Sequence, residues 1–292
     1  MTKNLVFSFI IPAHNEEKVI GDCLNSINVQ KKISENYEII VVNDGSTDKT
    51  SEIARKRGVI VIDFEKGHSA AFARNKGSER ATGKYLIFLD ADQVIEKNFM
   101  EKLNKLAKKD FSTAAIRILS RPPKTIFQKG WHAYREYNRC AAMIIKRKVF
   151  NEIKFREDLF YVEDDVLFEE TKKRGYNLEE SGALVYHIDP ETFGDYLRQR
   201  KWQGRGIVIK IFLLKKYWAI RYFVPCLILP LMTLWKPILL VYLLLTWIFF
   251  SLKSKETVNS FFWIVTDFIG RFISLFWFVV YALASGIKGR VI

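Results

Sequence analysis

The sequence predicts an α/β fold, a doubly wound parallel sheet of nucleotide-binding type, followed by a membrane-associated tail. Three observations carry this expectation. Short apolar runs ending in acids or amides alternate with helical patterns over the first two hundred residues. One of those runs closes in Asp90-Ala91-Asp92. The last seventy residues contain two long stretches almost bare of charge.

Phe7 to Ile11 is the first strand-like run, closed by Pro12-Ala13-His14-Asn15-Glu16-Glu17. Asn15 is placed to cap a helix, with Glu16 and Glu17 in its first turn. Val19, Ile20, Cys23, Leu24 and Ile27 give that helix its apolar stripe. Glu38 to Val42 is the second strand and ends in Asn43-Asp44-Gly45-Ser46-Thr47-Asp48. Thr47 or Asp48 can cap a helix over Thr50 to Arg57. Val59 to Ile62 is the third strand. Tyr85 to Leu89 is the fourth, too short for a helix and apolar enough to be buried on both faces.

Asp90 and Asp92 then stand one residue apart at a strand end. On extended chain they face the same way, at the sheet edge where open α/β folds bind ligands. Two adjacent carboxylates repel each other unless a divalent cation lies between them. No glycine-rich dinucleotide fingerprint follows the first strand, and no phosphate loop is present. A diphosphate here is therefore expected to be handled through metal rather than through backbone amides.

Four segments in order resemble family 2 glycosyltransferases of the GT-A fold: Phe9 to Glu17, Val41 to Asp48, Ala73-Arg-Asn-Lys-Gly77 and Leu89 to Asp92. The resemblance covers roughly residues 5–205. It implies a nucleotide-sugar donor, with Mg²⁺ or Mn²⁺ held by Asp90 and Asp92 against the diphosphate. By the same resemblance Pro12, Ala13, His14 and Asn15 line the nucleobase pocket. Glu16, Asn43 and Asp44 contact base or ribose, Asn43 standing where the family more often has Asp. Lys66, Arg74, Asn75, Asp90 and Ala91 approach the nucleotide or its phosphates.

Cys140 to Arg147 resembles the family's small-residue strand and basic turn, and Tyr161 to Phe168 its Glu-Asp motif. The resemblance makes Asp164 the general base toward an acceptor hydroxyl, with Glu163 beside it. Crowded acids suit that task by raising a carboxylate pKa. His187, at a further strand end, is a candidate additional metal ligand. Arg198, Lys201 and Trp202 stand where processive synthases of the family carry Gln-X-X-Arg-Trp. Arg198 and Lys201 depart from that pattern, which argues against processive synthesis and leaves a basic-aromatic patch for diphosphate or acceptor.

The formal charge of +14 raises the question of nucleic acid. The basic residues cluster between Arg198 and Arg221, interleaved with Ile207, Ile211, Phe212 and Trp218, and run directly into apolar sequence. That pattern fits an interfacial helix on an anionic leaflet, with no nucleic-acid partner. The expected organisation is a GT-A domain over 1–205, a basic amphipathic helix over 206–221 and a membrane region over 222–292. Its two stretches, 222–252 and 260–287, each suffice to cross about 30 Å of hydrocarbon. Pro225, Pro230 and Pro237 interrupt the first, so two spans or a re-entrant pair both fit. Flanking lysines and arginines place the catalytic domain on the cytoplasmic side of the cell membrane. The three widely spaced cysteines fit reduced thiols. The acceptor is then a membrane lipid, either the hydroxyl of a lipid-linked saccharide or glycolipid, which needs a base, or polyprenyl phosphate, which needs none, and the resemblance implies transfer with inversion.

Overall fold

The structure is a computed structural model that describes residues 6–32, 36–122, 141–159 and 162–187, with single positions at 192, 194, 197, 273, 276 and 279. The chain divides into two compact units. One comprises Met1–Arg121 and Arg139–Ile188, the other Pro122–Asn138 and Asp189–Ile292. Nearly all described residues belong to the first. The expected interfacial helix over 206–221 and stretch over 222–252 lie outside the described residues. So do Arg198, Lys201 and Trp202.

The first unit is built on β1 (Phe7–Ala13), β2 (Tyr37–Asp44), β3 (Ile60–Phe64), β4 (Tyr85–Phe88), β5 (Gln93–Ile95), β6 (Thr113–Ser120), β7 (Ala141–Lys146) and β8 (Leu178–His187). Their order in the sheet is β3-β2-β1-β4-β7-β6-β8-β5. β3, β2, β1 and β4 pair in parallel, as their continuous apolar runs predict. The rest departs from the parallel expectation. β7 is antiparallel to both β4 and β6, β8 runs parallel to β6, and β5 closes the sheet antiparallel to β8. The sheet is mixed because the described helices of its second half, one between β5 and β6 and two between β7 and β8, join strands that run antiparallel to each other.

Alternation along the strands feeds a core on each face. Phe9, Ile11, Val41 and Ile87 pack with Ile20 and Leu24 of α1 (Ile20–Asn28), and with Phe99 and Leu103 of α4 (Phe99–Ala107). Ile10, Val42, Leu86 and Phe88 face the other way. They meet α3 (Ala70–Arg80), α5 (Arg147–Ile153) and Leu167 of α6 (Glu163–Lys173). Burying each such side chain stabilises by about 1.5–3 kcal/mol, so the register of these strands is firmly set.

One helix start differs from the sequence reading, and a second helix begins where expected but ends two residues earlier. Asn15 is not a helix cap. Its backbone is left-handed, with φ 57°, and α1 begins only at Ile20. The Asn15 side chain instead accepts from the Thr47 amide at 2.9 Å, tying the β1 loop to the β2 loop. The second helix, α2, spans Thr50–Arg55, and Asp48 Oδ1 accepts from the Thr50 amide at its start at 3.0 Å.

Candidate active site

The chain winds outward from β1 to β2 and β3, then crosses back to place β4 on the other flank of β1. The C-terminal ends of β1 and β4 therefore open at a topological switch point, where α/β sheets form their ligand crevice. Pro12 to Glu16, Asn43 to Asp48 and Asp90 to Asp92 all emerge on this one edge.

Asp90 is held by Gln93 and Arg74. Its amide donates to Gln93 Oε1 at 3.1 Å, and Gln93 Nε2 returns a bond to Asp90 Oδ2 at 3.0 Å. Arg74 donates to Oδ1 at 2.8 Å. Ala91 is buried, which explains a small residue between the two acids. Asp92 lies 3.0 Å from His187, Oδ2 to Nε2. The fold arranges that meeting through β5 and β8, whose antiparallel pairing sets Gln93 opposite His187. Among the described residues no group of three or more His, Cys, Asp or Glu side chains could hold a metal ion. A carboxylate and an imidazole at this spacing fit a cation that completes its shell with water and substrate phosphate.

Glu16 faces this acidic edge, and its pKa is pushed up to about 7 by burial first, then by the charges of Asp92, Asp90 and Asp48. Beneath the loop, the buried Cys23 thiol donates to the Asp90 carbonyl at 3.8 Å. Burial and the same two acids raise its pKa, so the thiol stays protonated.

The β2 end forms a separate cluster. His14 Nδ1 donates to the Asp44 carbonyl at 2.7 Å, while Asn15 Nδ2 donates to His14 Nε2 at 3.1 Å. Asp44 is itself largely buried. Both of its carboxylate oxygens are occupied by His68: the backbone amide at 2.8 Å and Nδ1 at 2.9 Å. The His68 ring stacks on Phe72 with centroids 4.0 Å apart. Gly45, with φ +73°, lies against the backbone of Lys66 and Gly67, where any Cβ would collide. Lys66 is exposed on this loop. Asn43 donates to Asp63 at 2.8 Å, which accounts for an amide here; a second carboxylate would face Asp63 directly.

Arg74 joins these elements to α6. Its guanidinium, 11% exposed, reaches Asp90 at 2.8 Å and Glu163 at 2.6 Å, and lies 5.3 Å from the centre of the Phe155 ring. Burial opposes its charge, but Asp90 and Glu163 outweigh burial and raise its pKa. Arg74 thus serves two acids of the protein. Neighbouring Asn75 is buried and turned inward, exchanging bonds with the Phe155 backbone and donating to Glu157 at 2.8 Å. Its amide positions the 155–157 loop rather than facing the nucleotide crevice.

Glu163 is buried, and its Oε2 has no hydrogen-bond partner among the described residues. Asp164, next along the first turn of α6, is open to solvent. Desolvation raises its pKa, the charges of Glu163 and Asp165 raise it further, and Arg74 opposes them. Of this pair, Asp164 is the carboxylate that a substrate could reach. Sequence reasoning missed Gln93 and His68, whose roles depend on tertiary neighbours. No local pattern in the sequence marks either role.

The model of the family described as glycosyl transferase family 2 matches residues 8–169, more than half of the chain. The glycosyltransferase AglE of Haloferax volcanii is 26% identical over 232 residues, 70% of this chain and 74% of that protein. Glycosyltransferase GlyA of Streptococcus pneumoniae is 39% identical over 101 residues, 33% of this chain but only 14% of that protein. Among solved structures, the Pyrobaculum calidifontis mannosyltransferase PcManGT, in complex with GDP-Man and Mn²⁺, superposes with a TM-score of 0.64 at 16% identity. That match covers 94% of this chain and 88% of the other. Staphylococcus aureus TarS 1-349 in complex with UDP-GlcNAc matches with a TM-score of 0.51 at 20% identity, over 70% of this chain and 67% of that one. These structural likenesses carry the fold. With Asp90 and Asp92 at the switch point, Asp164 opposite and the family model spanning all three, the chain belongs to glycosyl transferase family 2 and is a glycosyltransferase.

Proposed function

We propose that the chain transfers a sugar from a nucleoside-diphosphate sugar to a hydroxyl of a lipid-linked saccharide or glycolipid at a membrane, inverting the anomeric carbon in one displacement. The observation that carries this reading is the Arg74 bridge. One buried guanidinium binds Asp90 at the donor edge and Glu163 at the start of α6, so Asp164 is fixed relative to the donor. A single displacement needs a base placed beside the donor in this way.

Asp92 and His187 would hold Mg²⁺ or Mn²⁺. That cation would neutralise the leaving nucleoside diphosphate. The chain's own groups do the rest. Gln93 and Arg74 fix the Asp90 carboxylate before any ligand arrives, and the His14, Asp44 and His68 cluster shapes the far end of the crevice. Asp164 takes the acceptor proton, and its raised pKa makes it a stronger base than an ordinary aspartate. The rate should therefore rise with pH through that raised pKa, because only the ionised carboxylate accepts the proton.

The membrane part of the reading rests on the basic run from Arg198 to Arg221 and the apolar stretches that follow. Among the described residues no helix is long and apolar enough to cross a membrane. The helical positions 276 and 279 do present exposed Phe276 and Val279 one turn apart. On this reading the catalytic unit faces the cytoplasm.

Asp164→Asn tests the chemistry. The change is nearly isosteric, so nucleotide affinity should hold while turnover falls by about a hundred- to ten-thousand-fold, the usual worth of general-base catalysis. Turnover is to be measured with the true acceptor. A loss below about tenfold would reject Asp164 as base. It would favour a polyprenyl phosphate acceptor, whose oxygen is already anionic.

A further inference from the structure

We infer that His68, and not Asp44, reads the nucleobase of the donor, accepting a hydrogen bond at Nε2 and thereby selecting bases that carry a lactam N–H, as uracil and guanine do. The inference rests on the nucleotide-sugar reading above and names the base class that this site takes.

Access comes first. Asp44 is the acid that the sequence assigns to base or ribose, yet its side chain is only 10% exposed and His68 covers it; the His68 side chain is 42% exposed. A ligand entering the β2 end therefore meets imidazole before carboxylate. The tautomer follows from the partner. A carboxylate only accepts, so the His68 nitrogen 2.9 Å from Asp44 Oδ1 carries the hydrogen. In the neutral ring Nε2 is then left with its lone pair.

His14, 2.7 Å from the Asp44 carbonyl through its own Nδ1, has the same tautomer, but its Nε2 is already taken by Asn15 at 3.1 Å. The two rings flank one aspartate, and among the described residues only His68 has an Nε2 without a hydrogen-bond partner.

Rigidity supports the same role. The ring is fixed by Asp44 on one edge and by Phe72 on its face, with the planes 18° apart. The backbone contact between Gly45 and the Lys66-Gly67 segment fixes the loop that carries it. A reader of base edges needs this kind of immobilised acceptor, because discrimination comes from leaving it unpaired when the wrong base binds.

The test measures the affinities of UDP, GDP, CDP and ADP for the full chain in detergent micelles with MnCl₂, by calorimetry. Wild type should bind UDP or GDP at least about tenfold more tightly than CDP and ADP, in line with one discriminating hydrogen bond. His68→Phe keeps the stack on Phe72 and removes the acceptor; it should narrow that ratio to within about threefold. His68→Gln, which retains an acceptor, should restore part of it. A thermal midpoint near that of wild type shows that each variant is folded, and a merely structural role would weaken all four nucleotides together. An unchanged ratio in His68→Phe, or equal binding of all four bases by wild type, overturns the inference and leaves the transferase reading standing. Failure of wild type to bind any nucleoside diphosphate overturns both.

Discussion

Single side chains in this site do two jobs, and Glu16 shows the cost of one of them. In the folded chain its pKa is about 7, against 4.5 for an ordinary glutamate, because burial and the charges of Asp92, Asp90 and Asp48 disfavour its ionised form. Between those two values the folded state holds a proton that the unfolded state has released. Stability of the metal-free protein should therefore fall as pH rises from about 4.5 to about 7. Glu16→Gln removes the penalty. The variant should unfold at a higher temperature than wild type at pH 8, with the difference vanishing near pH 4. Thermal scans in chelator at the two pH values check this, and an equal shift at both would assign the effect to packing instead. Of the site residues, Asp90 and Asp92 could be read in the sequence because acids ending an apolar run stand out, and Asp164 only through its resemblance to the family's Glu-Asp motif. Gln93 and His68 could not. Nothing in a glutamine after an Asp-X-Asp triplet shows that its amide closes back on the first aspartate. Arg74 was legible as a charge near the nucleotide, but its second partner, Glu163, is 89 residues away.

Among the elements, α3 fixes the site. Arg74 reaches both acids, Asn75 holds the 155–157 loop, and Gly77 lies flat on β1 and β2. A Cβ at Gly77 would stand 2.5 Å from Ile10 Cγ2 and 3.1 Å from Val42 Cγ2. Alanine gains about 1 kcal/mol of helix propensity over glycine. Overpacking against two fully buried β-branched side chains costs about 1–3 kcal/mol, and neither strand can retreat. Gly77→Ala should thus be net destabilising by up to about 2 kcal/mol, read as a lower denaturant midpoint in equilibrium unfolding. A midpoint at or above that of wild type would show that α3 can lift away from the sheet. The parallel strands were legible because each is a continuous apolar run with a polar end. The antiparallel half was not. β5 has three residues, and β8 opens with exposed Leu178, Glu179 and Glu180, so its first part lacks an apolar run. Its pairing with β6 and β5 is a tertiary choice that no local pattern records.

At the scale of the whole molecule, the catalytic unit carries its acids at one sheet edge while the chain's surplus of positive charge gathers after it. From Arg198 to Arg221 there are eight basic residues and no acid. On the proposed reading the full chain resists a high-salt wash and is released only by detergent, since two apolar stretches outlast the screening of surface charge. Fractionation of membranes with salt, then with detergent, checks this; release by salt alone would reduce the tail to a peripheral contact. Composition made this division visible from the sequence because it needs no knowledge of pairing.

The way α3 is pinned has a consequence for how such a chain can diversify. Arg74, Asn75 and Gly77 tie the helix to Asp90 and Glu163, the 155–157 loop and the sheet, so a change in any of them disturbs several parts at once. The loops carrying His14, Gly45 and His68 branch off that frame and touch mainly one another. Substitutions there leave the Arg74–Glu163 contact in place. On the proposed reading, new donor preferences can therefore accumulate by drift in a few loop positions, while the chemistry is inherited unaltered.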